Sequence, residues 1–359
     1  MKILVSDPIT ENGLSILKDA NFDVVELPDG TPEKIAEASR DVHGWVIRSG
    51  TKVTAKMIEN AENLNVIARA GVGLDNIDIP VATRCGVVVM NTPDVNTFSA
   101  AEHTIAIMLT LSRNITAGDL GIKLGEWNRH ALVGTELRNK TLGIVGLGKI
   151  GREVLKRCRS FGMNILGYDP YISQDLFNDE EVKIVDIDEL TAKADYITIH
   201  VPLNNSTRDL FDYERLSSMK STARIVNVAR GGIINEIDLA KALKKGKIAG
   251  AAIDVFSTEP VEDTNPLLNA PNIVLTPHLG ASTEEAKEGV SIAVCEQVRD
   301  YLIYEKLINA VNMPISNITK LKEIQVNLEL AELMGNIQGQ LNPGVIKRIQ
   351  VECSGTMDE

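Results

Sequence analysis

The chain has few cysteines, no excess of positive charge and no long apolar run. Its four cysteines (Cys85, Cys158, Cys295, Cys353) are scattered without a CxxC pair. That excludes a disulfide frame or a cysteine zinc site and fits reduced thiols in the cytoplasm; no metal site is expected. Lys+Arg is 37 against Asp+Glu 49, a net charge of −12. The resulting field repels phosphate and argues against nucleic acid or an anionic membrane as partner. Nowhere does an apolar run reach the ~18–20 residues that cross a bilayer. The amino end opens as the strand-like MKILVSD, without a signal-peptide layout. No fixed-period repeat or low-complexity stretch occurs. What is present is 44% hydrophobic residues over 359 positions, enough for two domains at ~150 residues each. Of the 27 glycines, several cluster where strands are expected to end.

Short apolar runs alternate with helical patterns. MKILVSD (1–7), FDVVEL (22–27), GWVIRS (44–49) and NVIARA (65–70) read as strands. Helical patterns at 10–20, 31–41 and 54–62 separate them, the second opening with Thr31 as N-cap and Pro32 at the first helical position. A long helix is expected over 97–117. A second βαβ series runs from 140 to about 280, and one helix over 283–308 closes it. This rhythm predicts an α/β fold: two doubly wound parallel-sheet domains, with the second series inserted into the first. Ligands of such sheets sit beyond the carboxyl ends of the strands. Arg48 and the segment Arg69–Gly73 both occupy such ends.

Gly146-Leu147-Gly148-Lys149-Ile150-Gly151 is a G-x-G-x-x-G between a strand (TLGIV) and a helix (REVLKRCRSFG). Gly146 permits the tight turn, Gly148 the approach of a pyrophosphate and Gly151 close helix–strand packing. The pyrophosphate would rest on the helix N-terminus, whose free N–H groups and dipole favour anions. A second strand, NILGY, leads to Asp169. Its carboxylate would accept from the adenosine ribose hydroxyls and repel a 2′-phosphate, so NAD is expected over NADP.

Of five histidines, His43 and His130 read as surface residues, His103 as a satisfied core histidine and His200 as backbone support beside the cofactor edge. His278, in TPHLG, stands at a strand's carboxyl end in the cofactor domain. Arg230 ends the strand of NVARGG; Asp254 and then Glu259 end that of AAIDVFSTEP. A cation, a carboxylate and a histidine at strand ends facing a nicotinamide fit oxidation of a 2-hydroxy acid. The histidine takes the hydroxyl proton, the carboxylate steadies the imidazolium, and the arginine holds the substrate carboxylate.

With these motifs, and with HVPL (200–203) and TPHLGAST (276–283), the sequence resembles the D-isomer-specific 2-hydroxyacid dehydrogenases. IRSGTKVT (47–54), residues 68–93, SAAEHT (99–104) and residues 133–153 follow a subgroup acting on 3-phospho-D-glycerate. The resemblance covers about residues 1–315. It implies a Rossmann NAD domain (99–284) inserted in a flavodoxin-like substrate domain (1–98 and 285–315). It further implies that Arg230, Glu259 and His278 are catalytic. The amides of Val72 and Gly73 would bind the substrate carboxylate, with Asn96 in contact. Arg48, Arg69 and, from a partner subunit, Arg129 would hold the phosphate of a small phosphorylated 2-hydroxy acid. Lys149 and Ile150 would cover the pyrophosphate and Asp254 would hold the nicotinamide amide. Val72, Val201, Thr207, Val228, Ala229, Arg230, His278 and Gly280 would line the cofactor cleft; at Val228 relatives often carry a smaller or sulfur side chain. Arg129 reaching a neighbouring site would require at least a dimer, and a homodimer or homotetramer is expected.

Two alternatives stand beside this reading. Another dehydrogenase of the family, such as a glyoxylate or hydroxypyruvate reductase, would share the catalytic set but not need three extra arginines. A non-catalytic NAD-sensing protein would not need Arg230, Glu259 and His278 together. The tail 316–359 is expected to hold one helix, a turn at Asn342-Pro343-Gly344 and a strand at 345–353, the start of an intervening domain that is not completed. No serine-binding regulatory site is expected.

Overall fold

Two separate parallel sheets organise the chain; the computed structural model describes residues 1–177, 182–313 and 318–341. The first sheet holds β1 (Lys2–Val5), β2 (Asp23–Glu26), β3 (Gly44–Ile47), β4 (Val66–Arg69) and β5 (Val88–Asn91) in the order β2-β1-β3-β4-β5. Helices α1 (Glu11–Asp19), α2 (Pro32–Ala38), α3 (Ala55–Glu59) and α4 (Ile79–Arg84) join them. This is the flavodoxin-like order, in which β1 and β3 flank the switch point. Every residue of β3 is buried, and Trp45 at its centre donates Nε1–H to Ser6 Oγ at 2.8 Å. A buried aliphatic side chain contributes about 1.5–3 kcal/mol, so a continuous run such as GWVI is stable only with helices on both faces.

The chain then crosses into α5 (Thr97–Ser112) and α6 (Ile115–Lys123). The second sheet has seven strands: β6 (Thr141–Val145), β7 (Asn164–Tyr168), β8 (Lys183–Ile184), β9 (Tyr196–Ile199), β10 (Arg224–Asn227), β11 (Gly250–Ile253) and β12 (Ile273–Leu275). Their order is β12-β11-β10-β9-β6-β7-β8, the Rossmann order with its switch point between β6 and β9. Helices α7 (Lys149–Ser160), α8 (Ile187–Lys193), α9 (Tyr213–Ser218) and α10 (Glu236–Lys244) cover it. The chain returns through α11 (Glu284–Tyr304), which packs on α1, and ends its described part in α12 (Ile318–Leu341). At the α1–α11 contact a Cβ on Gly13 would lie 2.8 Å from the Ser291 carbonyl oxygen, so only glycine lets these helices approach.

Several expectations need correction. The helix expected over 97–117 is two helices, because Asn114 adopts the left-handed conformation (φ 53°) and restarts the chain in a new direction. The helix expected over 283–308 stops at Tyr304 for the same reason, with Glu305 left-handed at φ 53°. Beyond it Leu307 returns to the core of the first sheet. β5, α4, β8 and α9 are elements beyond those that the sequence patterns predict. The expected tail helix is α12; the turn at 342–344 and the strand at 345–353 lie outside the described residues. No described helix is long and apolar enough to cross a membrane.

Candidate active site

The glycine turn after β6 is packed as its sequence requires. Gly146 has φ +96°, and a Cβ there would sit 2.6 Å from the His200 carbonyl oxygen at the end of β9. A Cβ on Gly151 would be 2.0 Å from the Gly146 carbonyl. Gly148 differs: nothing lies within 4 Å of its Cβ position, and no side chain caps α7, which it begins. An open cradle over uncapped N–H groups suits a pyrophosphate. At the end of β7, Asp169 accepts from the amides of Leu147 (2.9 Å) and Tyr171 (3.0 Å), which fixes its carboxylate beside the cradle. Lys149 takes the first helical position, but its ammonium pairs with Asp94, from the loop after β5. His200 bonds Thr198 Oγ1 through Nε2 at 3.0 Å, and burial pushes its imidazole down to about 3.

The acid–base pair lies past β11 and β12. His278 Nδ1 is 2.7 Å from Glu259 Oε2, and Glu259 Oε1 accepts from the Phe256 amide at 3.0 Å. Burial acts to raise the Glu259 carboxyl, but the bonds from His278 and Phe256 outweigh it and hold it below its ordinary value. His278 has φ +55°, a left-handed conformation that a non-glycine residue adopts only at a cost. The turn is secured by Asp254, which is fully buried. Its carbonyl accepts from His278 N (2.8 Å), and its carboxylate from Leu279 N (2.8 Å) and Gly280 N (2.9 Å). His103 Nε2 and Thr276 Oγ1 complete the set at 3.1 and 2.6 Å. The family resemblance implies that Asp254 holds a nicotinamide amide; in the fold its carboxylate is met by four protein donors.

Opposite, the carboxyl ends of the first sheet present arginines. A Cβ on Gly73 would meet Arg230 at 2.4 Å, Arg69 at 2.8 Å and Asp75 at 3.1 Å, so two guanidiniums and one carboxylate surround this glycine. Arg230 is 3.6 Å from Asp75 and donates to the Ala229 carbonyl at 2.7 Å. The Nε of Arg69 is buried without a partner. Burial, then repulsion from Arg230 and Arg48 against attraction from Asp75 and Asp7, pulls Arg69 down to about 10. Among the described residues no group accepts from the amides of Val72 and Gly73. Asn96 Oδ1 is likewise buried and unpartnered. Arg48 belongs to a loop fixed from both sides: Asp7 accepts its amide at 2.6 Å, and Asn76 donates to its carbonyl at 2.7 Å.

Val201 follows β9. Val228 and Ala229 follow β10, and Val228 would crowd any side chain at Gly280 (2.8 Å). Thr207 donates to the Pro202 carbonyl at 2.6 Å and holds the loop after β9. Arg129 lies in the exposed loop after α6 and is not among the charges acting on Arg69. No cluster of metal-ligating side chains occurs among the described residues. Sequence reasoning overlooked Asp7, Asn76 and Thr276, and gave His103 no link to the site. Asp7 was open to discovery, since MKILVSD ends with it at a switch-point strand.

Comparison with known proteins gives consistent matches. The family described as "D-isomer specific 2-hydroxyacid dehydrogenase, NAD binding domain" matches residues 105–280. The D-3-phosphoglycerate dehydrogenase of Methanocaldococcus jannaschii is 47% identical over 99% of this chain and 68% of its own length. The first three curated relatives are covered over 64–68% of their lengths, so the chain spans about two thirds of each. Among solved structures, a glyoxylate reductase from Paecilomyes thermophila is similar with TM-score 0.79 and 31% identity, covering 87% of this chain and 98% of that one. An NAD-dependent formate dehydrogenase from Staphylococcus aureus, solved with NAD, has TM-score 0.77 and 31% identity, covering 86% and 98%.

Proposed function

The chain belongs to the D-isomer-specific 2-hydroxyacid dehydrogenases, and from that premise we propose that it oxidises 3-phospho-D-glycerate to 3-phosphohydroxypyruvate with NAD, the entry reaction of serine biosynthesis. The observation that carries the substrate assignment is the arginine group at Gly73, with its buried, unpartnered Arg69 Nε. A buried cation without enough counter-charge is costly, and an incoming anion would relieve it. Two anionic ends on one substrate account for Arg230 with the Val72 and Gly73 amides, and for Arg69 with Arg48.

NAD, when bound, supplies the hydride acceptor; the glycine cradle at Gly148 and the carboxylate of Asp169 are suited to hold it. His278 takes the hydroxyl proton at its Nε2, while Nδ1 stays on Glu259, whose ionised carboxylate steadies the imidazolium. Arg230 and the Val72 and Gly73 amides hold the substrate carboxylate, and Arg230 also meets the oxygen on which carbonyl character develops. Approach of the two sheets would exclude water from this cleft.

A partner subunit is supported by α6, which buries none of its own side chains. Ile115, Leu120, Ile122, Leu124, Trp127 and Val133 are all more than half exposed around it, an apolar patch that a second copy would cover. Sedimentation at a mass above the 39.1 kDa of one chain is expected. A cytoplasmic location fits the reduced cysteines.

The function is tested by following NADH formation with 3-phospho-D-glycerate against D-glycerate and D-lactate. Turnover should favour the phosphorylated substrate. Arg48→Ala should raise its KM about tenfold or more, the loss of one charge-assisted contact, and leave D-glycerate unchanged. Equal losses on both substrates would refute the phosphate anchor.

A further inference from the structure

Asp254 is where both crossings between the sheets meet. The first crossing leaves β5 at Asn91 and enters α5, which carries His103. The second runs from the His278 turn into α11. Asp254 bonds to each: His103 Nε2 on one side at 3.1 Å, the amides of His278, Leu279 and Gly280 on the other at 2.8–2.9 Å. His103 therefore connects a helix outside the local strand ends to the turn that aims His278 at Glu259.

The proton inventory settles the direction of this bond. Thr276 Oγ1 donates to Asp254 Oδ1 at 2.6 Å, so its hydrogen is committed there. His103 Nε2 lies 3.2 Å from that same Oγ1. Asp254 and the Thr276 lone pairs are both acceptors, so Nε2 must carry the hydrogen. Asp254 Oδ1 then collects three donors and Oδ2 one. Burial works to raise the Asp254 carboxyl, yet the bonds from His103, Thr276 and Leu279 hold it below its ordinary value. Without His103 the carboxylate loses its only donor from α5, and burial is less fully opposed. The left-handed His278 depends on the same carboxylate two residues on, through Gly280, and on the Asp254 carbonyl directly.

We propose that His103 is a positioning residue for the dehydrogenase step: it donates to Asp254 and so holds the turn carrying His278, tying that turn to the helix that follows the first crossing. The proposal rests on the reading that His278 is the acid–base group. Its predicted consequence is kinetic. A turn free to shift by a fraction of an ångström lowers the turnover of bound substrate more than it lowers binding.

The test compares His103→Leu, which keeps bulk and removes the donor, with His103→Gln, whose side-chain amide has the same bonded reach as Nε2. Turnover is expressed per NADH-binding site, counted by fluorescence titration, so a misfolded fraction cannot imitate the effect. Leu should lower kcat by about 10- to 100-fold with KM for 3-phospho-D-glycerate within about threefold. Gln should restore kcat to within about threefold of the parent enzyme. If His103→Leu turns over normally, or if Leu and Gln lose equally, donation to Asp254 is not the function of His103 and the proposal falls. Should the Leu variant yield no NADH-binding protein, His103→Asn, polar but one methylene too short, takes its place with the same two outcomes. His278→Ala separates the premises: if it retains turnover, the acid–base reading fails, whereas its inactivity beside a normal His103→Leu removes His103 alone.

Discussion

The arginine group beside Gly73 and the Asp254 cluster both sit at carboxyl ends of parallel strands, yet their hydrogen-bond accounts are opposite. Asp254 is fully buried and meets five donors through its carboxylate and carbonyl. Arg69 is mostly buried with Nε unpartnered, the Val72 and Gly73 amides have no protein acceptor, and Asn96 Oδ1 is orphaned. Buried polar groups are normally satisfied, so the incomplete account marks where a ligand completes it. The complete one marks the frame that holds the catalytic turn. The open site is aimed at anions because its orphans are mostly donors.

The contrast can be broken most directly at His278, whose turn Asp254 holds. His278→Ala should lower kcat by about 10²–10⁴-fold while NADH binding, measured by fluorescence, persists. Near-normal turnover would leave neither cluster a catalytic purpose. Next, Asp254→Ala and Arg69→Met should part company in thermal unfolding. Removing Asp254 strands several buried donors and should cost about 3 kcal/mol of stability. Removing Arg69 deletes a poorly paired buried cation and should leave stability unchanged or slightly raised, while kcat/KM falls about 10- to 100-fold. Equal destabilisation by both would erase the distinction. The smallest effect concerns pH. His200 is neutral in the fold, its imidazole pushed by burial to about 3 from an ordinary 6.5. Below pH 6.5 the unfolded chain binds that proton and the folded one does not, so stability falls as pH drops. The slope from this residue is at most about 1.4 kcal/mol per pH unit, and His200→Asn should remove it from denaturant curves between pH 6.5 and 5. Asp254 and Glu259, both held below their ordinary values, add stability that is lost at lower pH, as they protonate.

Much of this was legible in the sequence because its signals are local. Strand ends carrying Arg230, Asp254 and Arg69, and the glycine spacing at 146–151, lie within a few residues of the backbone geometry that they serve. Other features were illegible for a definite reason. The break at Asn114 depends on one residue turning left-handed, which the surrounding helical periodicity hides. His103 reads as an ordinary core histidine because its partner is 151 positions away. The pairing of Lys149 with Asp94 likewise joins residues 55 apart, the first residue of α7 and the loop after β5.

By itself the sequence determined two parallel α/β units, a dinucleotide turn and the residue types of a 2-hydroxy-acid oxidation, since periodicity, glycine placement and charge at strand ends are properties of short segments. Tertiary structure alone decided which of those charges are satisfied. Arg69 and Asp254 look equivalent in sequence, a charge at the end of an apolar strand. One is left with an unpartnered donor and the other is enclosed by donors, because whether a buried charge finds partners depends on which distant segments pack over it.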